Sequence, residues 1–156
     1  MEFLSLTTNT PVPEILLRFG LAALLGMVLG IDREIRGKPA GLRTHMLIAL
    51  GAAVTTVVGF ELYYSAIEIH QQSRSDLLRI IEGVMAAIGF LGAGAIISRD
   101  RSVHNMTTAA NIWVCGAIGI ACGAGYYIIA VIALGFTIAI LTVLGLIERM
   151  IKRSID

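Results

Sequence analysis

Five long apolar runs follow one another along the chain, and short polar segments separate them. The runs extend over about residues 14–31, 42–63, 78–98, 106–122 and 126–147. An apolar run of about 17–25 residues is long enough to cross the hydrocarbon core of a bilayer as an α-helix. The pattern predicts an all-α membrane protein with five transmembrane helices, of which the fifth, the least polar, faces lipid most.

The composition of the chain also indicates a membrane domain. Hydrophobic residues make up 56% of its 156 residues and charged residues only 15%, which is too apolar for an ordinary soluble domain. We expect a polar N-terminal lead over residues 1–13, one membrane domain in the lipid bilayer over 14–147, and a basic cytoplasmic tail over 148–156. The lead lacks the features of a signal peptide, and no basic, aromatic-rich stripe indicates nucleic-acid binding.

Lys and Arg are distributed unevenly between the two ends of the predicted helices. Nine of them fall at one end, namely Arg33, Arg36, Lys38, Arg43, Arg99, Arg101, Arg149, Lys152 and Arg153. Only Arg74 and Arg79 fall at the opposite end, with Arg18 inside the first helix. Because cytoplasmic segments are the richer in Lys and Arg, this bias predicts an N-terminus outside and a C-terminus in the cytoplasm.

Small residues recur at short intervals in the apolar runs. The glycines that we expect to let helices pack closely are Gly26, Gly30, Gly89, Gly92, Gly94, Gly119 and Gly123. Glycine lets helix backbones approach each other in lipid. Five helices offer few internal partners for so many small faces, so the pattern also predicts a homo-oligomer, most simply a dimer.

A weak internal repeat links the first two predicted helices to the third and fourth. At a constant offset of 64, the positions of Gly30, Thr44, Ile48, Ala53 and Gly59 recur as those of Gly94, Thr108, Ile112, Ala117 and Gly123. Such a repeat would relate two hairpins of the same orientation, as in some transporters. Chance matches in Gly- and Ala-rich segments explain it equally well, and both interpretations stay open.

Two polar segments border the apolar runs at the predicted cytoplasmic face. Polar and ionisable groups next to apolar runs are costly unless they are paired or line a site. We therefore predict one functional polar network that joins Asp32, Arg33, Glu34, Arg43, Thr44, His45, Thr107, Thr108, Asn111 and Trp113. The alternative for each residue is a simple interfacial, capping or packing role.

Specific pairings are expected within these segments. Asp32 and Arg36 are four residues apart and can pair on a continued helix. Asp32 with Arg43 would satisfy both charges, whereas Asn105, Thr107 or Thr108 would cap the fourth helix.

The two polar segments and the adjoining glycines resemble the MgtC/SapB family of bacterial inner-membrane proteins. The resemblance is carried by Asp32-Arg33-Glu34, Gly37-Lys38 and residues 40–45, then by residues 89–96 and 107–113. It extends over about residues 16–146 and is closest to the short SapB- or YhiD-like members, which lack the C-terminal soluble domain of MgtC. It implies a five-helix core and links to magnesium limitation, acid stress and virulence, without an established transport reaction.

Two functions of different class fit these observations. One is a regulatory inner-membrane protein that acts through contacts with other membrane proteins, and the other is a transporter or channel for a Mg²⁺-related cation or small solute. HExxH, GxSxG and Walker A motifs are missing, as is a Cys/His cluster with zinc spacing, so we expect no enzyme, cofactor or metal site. Asp32 and Glu34 could bind Mg²⁺, but Arg33 and Arg36 beside them disfavour a cation cage.

Overall fold

A computed structural model of the chain describes residues 8–69, 77–99 and 102–155. In this part of the chain the helices are α1 (Val12–Ile35), α2 (Leu42–Ile69), α3 (Leu78–Ala95), α4 (Met106–Gly123) and α5 (Tyr127–Ile155). Strands β1 (Ile97–Arg99) and β2 (Ser102–His104) form a short antiparallel hairpin between α3 and α4. All five helices are long and apolar enough to cross a membrane, which confirms the predicted all-α fold.

Two helix ends differ from those predicted from the sequence. Helix α2 continues to Ile69 instead of ending at Tyr63, because the residues after Tyr63 include no glycine or proline that would stop a helix. Helix α3 ends at Ala95 instead of Ser98, because Ile96 is extended and the next residues pair as a strand. The hairpin was not predicted, since no Asn-Gly or Asp-Gly turn signal marks it.

Helix α4 is the central helix of the bundle. Of its membrane span, 67% is buried inside the chain, against 11% for α5. One apolar cluster joins α4 to α1, α2 and α5, and its members include Leu29, Ala49, Cys115 and Leu134. A second joins α4 to α2 and α3 through residues such as Ile88. Helix α5 is thus the least buried of the five within the described chain, and its contact with lipid stays a prediction.

Two arginines of α1 hold the two ends of α4. Arg18 donates from Nη1 to the carbonyl oxygen of Gly123 at 2.7 Å, and Arg33 donates from Nη2 to Oγ1 of Thr108 at 2.5 Å. The two arginines are fifteen residues apart in the sequence, as are Thr108 and Gly123, a separation of about 22 Å along a helix. The contacts therefore align α1 and α4 antiparallel and fix the start of α4 against the end of α1.

Several of the predicted packing glycines lie where two backbones meet. A Cβ added at Gly119 would overlap the carbonyl oxygen of Ala49, and one added at Gly26 would lie 2.6 Å from the carbonyl oxygen of His45. The backbone of α2 or the segment before it leaves equally little space at two more positions, Gly30 and Gly123. These glycines allow α1 and α4 to contact α2 closely.

The glycines of α3 behave differently. An added Cβ at Gly92 would make an ordinary contact with Ala109, at 3.4 Å from its carbonyl oxygen. At Gly89 and Gly94 it would meet no atom within 4 Å. Two of the predicted packing positions thus face away from the rest of the described chain.

The residues that the proposed repeat would make equivalent lie in different environments. Thr108 is buried whereas Thr44 is exposed. Gly30 contacts Leu42, but Gly94 has open space around it. At these two pairs the fold does not support the repeat.

The described end of the N-terminal lead is attached to α2. The carboxylate of Glu61 accepts hydrogen bonds from the backbone N–H groups of Asn9 and Thr10, at 2.7 and 2.8 Å, and from the Thr10 hydroxyl at 2.6 Å. The predicted lead gives way to helix at Val12. Residues 1–7, 70–76, 100–101 and 156 lie outside the described residues, and with them part of the predicted lead and the last residue of the predicted tail.

Candidate functional site

His45 and Asn111 form the buried centre of the polar network. Asn111 donates from Nδ2 to Nε2 of His45 at 2.9 Å. Because an amide nitrogen can only donate, Nε2 accepts, and the ring proton lies on Nδ1, which donates to the carbonyl oxygen of Gly41 at 3.0 Å. Cys115 adds a hydrogen bond from Sγ to the backbone oxygen of His45 at 3.2 Å. The neutral imidazole is therefore fixed between α2 and α4.

Arg33 brings a buried charge to the same end of the bundle. The side chain is 3% exposed and donates to Thr108, which is 1% exposed. Its Nε has no hydrogen-bond partner among the described residues. A guanidinium stays charged in proteins, and a buried charge is costly unless it is paired. The Arg33 N–H is thus an unsatisfied donor in a buried position.

Asp32 pairs with Arg36, as expected from their spacing. Nε of Arg36 donates to Oδ1 of Asp32 at 2.8 Å. The expected pairing of Asp32 with Arg43 is wrong, because the Arg43 side chain is exposed and lines a groove between α2 and α3 instead. Oδ2 of Asp32 is buried and has no hydrogen-bond partner in the described part of the chain.

Glu34 anchors the start of α2. Its Oε2 accepts a hydrogen bond from the backbone N–H of Leu42, the first residue of that helix, at 2.8 Å. A carboxylate at a helix N-terminus satisfies a free amide and interacts favourably with the helix dipole. The Glu34 carboxylate also occupies the space that a side chain at Gly41 would need. Its contacts are those of a helix cap.

The remaining predicted site residues are exposed. Thr44 lies beside Arg43 in the α2–α3 groove. Thr107 is exposed at the start of α4, and Trp113 is 50% exposed further along the same helix. The structure therefore brings together Arg33, His45, Thr108 and Asn111, and it leaves these others outside the buried network.

The start of α4 carries no side-chain cap. Asn105 occupies the cap position in a left-handed conformation, with φ 66°, and makes no capping hydrogen bond. Its Nδ2 donates to the carbonyl oxygen of Ala95 at 3.3 Å. The hydroxyl of Thr108 accepts from Arg33. The expectation that Asn105, Thr107 or Thr108 caps this helix is wrong, because the polar groups of Asn105 and Thr108 bind other elements.

A cavity of about 510 Å³ opens where the end of α1, the start of α4 and the middle of α5 meet. We refer to it as the α1–α4–α5 cavity, and its walls are formed by Asp32, Arg33, Arg36, Lys38, Asn105, Met106, Thr107, Thr108, Ile140, Leu141, Leu144 and Gly145. The α5 wall was not predicted from the sequence, and Lys38 was not among the predicted site residues. Apolar α5 residues that face a cavity give the same sequence signal as those that face lipid.

The chemistry of the lining favours anions over cations. Three cationic side chains face the cavity, and one carboxylate, already paired with Arg36, opposes them. Among the described residues no three His, Cys, Asp or Glu side chains come together as metal ligands. The cavity is thus a positively charged, partly apolar chamber next to the buried Arg33.

Comparison with known proteins places these features in a family. The MgtC family model matches residues 19–150. The chain is 38% identical over 116 residues to the protein SapB of Bacillus subtilis, covering 74% of this chain and 50% of the relative. It is 37% identical over 130 residues to YhiD of Escherichia coli K12, whose name describes a proposed magnesium transporter, covering 83% and 60%.

A further relative is the protein MgtC of Brucella abortus. The chain is 40% identical to it over 119 residues, which cover 76% of this chain and 46% of the relative. The chain therefore spans about half the length of the curated relatives that it matches. No solved structure matches the chain.

Proposed function

Because the chain belongs to the MgtC family, we propose that it is a regulatory, multi-pass protein of the bacterial inner membrane with a Mg²⁺-related role. In this proposal it acts through helix contacts with other membrane proteins during magnesium limitation, acid stress or virulence. No enzymatic step is assigned to it. The family membership supports the Mg²⁺ link, and the surface of the bundle supports the contact mechanism.

The observation that carries this proposal is a groove between α2 and α3 on the lateral surface of the helix bundle. It encloses about 660 Å³ and is lined mostly by small and apolar residues, among them Gly51, Ala52, Thr55, Gly83 and Ala87. A Cβ added at Gly51 or Gly83 would meet no atom of the described chain within 4 Å. Small residues on a lipid-facing surface allow another helix to approach closely. The groove is suited to a transmembrane helix of a partner.

The first partner that we propose for this groove is a second copy of the chain. Only 17% of the α3 span is buried within the chain, and Gly83, Gly89 and Gly94 all face open space. A twofold contact uses the same surface patch on both copies. Helix α3 forms one wall of the groove and also carries a small-residue face. In a homodimer, that face of each copy would lie in the groove of the other copy.

Transport is the second candidate, and two observations favour it. The α1–α4–α5 cavity reaches the buried Arg33 from one end of the bundle, and YhiD carries the name of a proposed magnesium transporter. Two features oppose a Mg²⁺ path through a single chain. The hydrogen bond Arg33–Thr108 joins α1 to α4 at the wall of the cavity, and His45–Asn111 joins α2 to α4. The cationic lining repels a divalent cation.

A pair of leucine substitutions tests the regulatory proposal. We expect Gly83→Leu to fill the α2–α3 groove and to abolish the dimer, as measured by size-exclusion chromatography in detergent and by cross-linking. We also expect the variant not to restore growth at low Mg²⁺ in cells that lack the wild-type protein. Gly135→Leu is the matched control, because Gly135 is an exposed glycine of α5 with no atom within 4 Å of an added Cβ. It should retain both properties.

Flux measurements separate the two candidate functions. In liposomes that contain the chain alone, the regulatory proposal expects no Mg²⁺ uptake above that of empty liposomes. Saturable uptake that Gly83→Leu leaves intact would contradict the proposal and establish transport. Equal dimerisation and growth for both leucine variants would instead exclude the groove as the contact surface.

A further inference from the structure

The α1–α4–α5 cavity combines several independent sources of positive charge. Arg33, Arg36 and Lys38 face it, and Asp32, their only acidic neighbour in the lining, already accepts a hydrogen bond from Arg36. Helix α4 begins at the cavity without a side-chain cap. The first amides of a helix lack intrahelical acceptors, and a helix N-terminus attracts anions. The cavity is therefore electrostatically suited to a negatively charged group.

Two residues of the lining each carry a buried polar atom that lacks a hydrogen-bond partner, and these atoms indicate which groups a ligand must offer. Nε of Arg33 is a donor, and Oδ2 of Asp32 is an acceptor, and neither has a hydrogen-bond partner among the described residues. The Arg33 side chain is 3% exposed. Buried polar groups in proteins nearly always have a hydrogen-bond partner. A ligand that satisfies both atoms offers an acceptor oxygen to Arg33 and a hydrogen-bond donor to Asp32, and the positive charge of the lining favours an anionic acceptor.

We propose that the α1–α4–α5 cavity binds a phosphate group that retains or carries a hydroxyl donor. The anionic oxygens accept from Arg33, from Lys38 and from the amides at the start of α4. The hydroxyl donates to Oδ2 of Asp32. Inorganic phosphate, which keeps at least one proton at neutral pH, has this chemistry, and so does the headgroup of phosphatidylglycerol, whose glycerol carries hydroxyls.

This proposed binding site goes beyond the regulatory function proposed above, and the proposal of the site does not depend on that function. Ile140 and Leu144 form an apolar wall of the cavity and are each more than half exposed, at 55% and 52%. An acyl chain could lie against this wall if the phosphate belongs to a lipid. A free phosphate would use only the polar wall. A lipid and a free phosphate would make the same contacts through the phosphate group. Only the lipid would also contact the apolar wall of α5.

The first experiment measures thermal unfolding of the full chain in a neutral detergent and phosphate-free buffer. Inorganic phosphate and sulfate are titrated at constant ionic strength. We expect a saturable rise of the unfolding temperature with phosphate, and an affinity for sulfate about tenfold weaker, because sulfate has no proton to donate to Asp32. Equal responses to phosphate and sulfate would overturn the proposal.

A matched pair of variants separates the site from general charge effects. Lys38 and Arg43 are both exposed cations at the same end of the bundle, but only Lys38 lines the cavity. Lys38→Gln should weaken phosphate binding about tenfold, while Arg43→Gln should change it less than about twofold. An equal loss in both variants would show only general attraction of anions and would overturn the proposal.

A substitution at Asp32 tests the role of the hydroxyl. Asp32→Asn replaces an acceptor-only carboxylate by an amide that can also donate. We expect this variant to bind sulfate as well as phosphate and so to lose the preference of the wild-type chain. A preference for phosphate that survives Asp32→Asn would remove Asp32 from the site.

A lipid experiment distinguishes the source of the phosphate. The chain is purified from micelles that contain phosphatidylglycerol or phosphatidylcholine, and the retained lipid is measured by native mass spectrometry. Selective retention of phosphatidylglycerol that Lys38→Gln abolishes and Arg43→Gln preserves would assign a lipid headgroup. If only inorganic phosphate responds, the ligand is the free anion. If neither phosphate nor phosphatidylglycerol binds, the proposal is wrong.

Discussion

Asn111 of α4 donates a hydrogen bond to the ring of His45 of α2 across 66 positions of sequence, at 2.9 Å. Both side chains are buried, at 3% and 0% exposure. Inside a membrane domain, a polar group that loses its partner has little access to water as a replacement. The hydrogen bond thus joins the two polar segments of the chain, and each of the two side chains depends on the other for a hydrogen-bond partner.

Removal of the Asn111 amide should destabilise the bundle. Asn111→Ala leaves Nε2 of His45 as a buried acceptor without a donor, and we expect a loss of about 1–3 kcal/mol in the free energy of unfolding. Denaturant titration of the purified chain in detergent measures this loss. Arg43→Ala is the control, because Arg43 is exposed and outside the network, and it should change stability by less than about 0.5 kcal/mol.

The same variants distinguish a functional network from a scaffold. If Asn111→Ala loses both stability and the ability to support growth at low Mg²⁺, the hydrogen bond holds the helices together. If it keeps wild-type stability but loses growth, the network has a direct functional role. Wild-type behaviour in both measurements would show that the His45–Asn111 contact is dispensable.

The bond between Arg33 and Thr108 should contribute more than an ordinary hydrogen bond. Thr108→Val preserves the shape of the side chain and removes the acceptor of a buried guanidinium. Hydrogen bonds to charged groups contribute about 1.5–3 kcal/mol, and we expect a loss in that range from thermal or denaturant unfolding. Thr107→Val is the matched control, because Thr107 is its exposed neighbour; a similar loss in both variants would contradict this prediction.

The transmembrane spans were predictable because length and hydropathy alone define them. The end of α3 was not predictable, since strand β1, which follows Ala95, forms by pairing with the neighbouring strand β2, and no turn signal in the sequence marks that hairpin. Likewise, the spacing of Asp32 and Arg36 sufficed to predict their ion pair, because both lie on one helix. Local signals work where both partners belong to the same element.

Contacts between helices were only partly predictable. His45 and Arg43 border the same apolar run, yet His45 is buried against α4 and Arg43 is exposed. Their order in the sequence does not reveal how α2 is rotated toward its neighbours. From the sequence alone, Lys38 cannot be distinguished from other charged residues at the membrane interface. Only the structure shows that it lines a cavity together with Ile140 of α5. These relationships depend on the relative rotation and position of whole helices.

The orientation of the bundle remains a prediction from its charges. We expect a reporter fused after Asp156 to behave as cytoplasmic and a tag before Met1 to be accessible from outside, because Lys and Arg concentrate at the ends of the helices near Arg33 and Lys38. If all five candidate spans cross the membrane, the two termini lie on opposite sides. A periplasmic signal from the C-terminal reporter would reverse the topology and place the α1–α4–α5 cavity outside.

The glycines offer the sharpest test of helix packing. Alanine has a higher helix propensity than glycine by about 1 kcal/mol, so a Gly→Ala change stabilises a helix wherever a methyl group fits. At Gly89 an added Cβ meets no atom within 4 Å, and we expect Gly89→Ala to be neutral or slightly stabilising. At Gly119 the added Cβ would overlap the carbonyl oxygen of Ala49.

Gly119→Ala should therefore destabilise the chain. Backbone atoms of α2 cannot rotate away as a side chain can, so α4 and α2 must separate, and overpacking of this kind costs about 1–3 kcal/mol. Unfolding of the two alanine variants in the same detergent measures the difference, and Gly119→Leu should be worse because it adds more volume. If Gly119→Ala were as stable as Gly89→Ala, the close approach of α2 and α4 at Ala49 would be wrong.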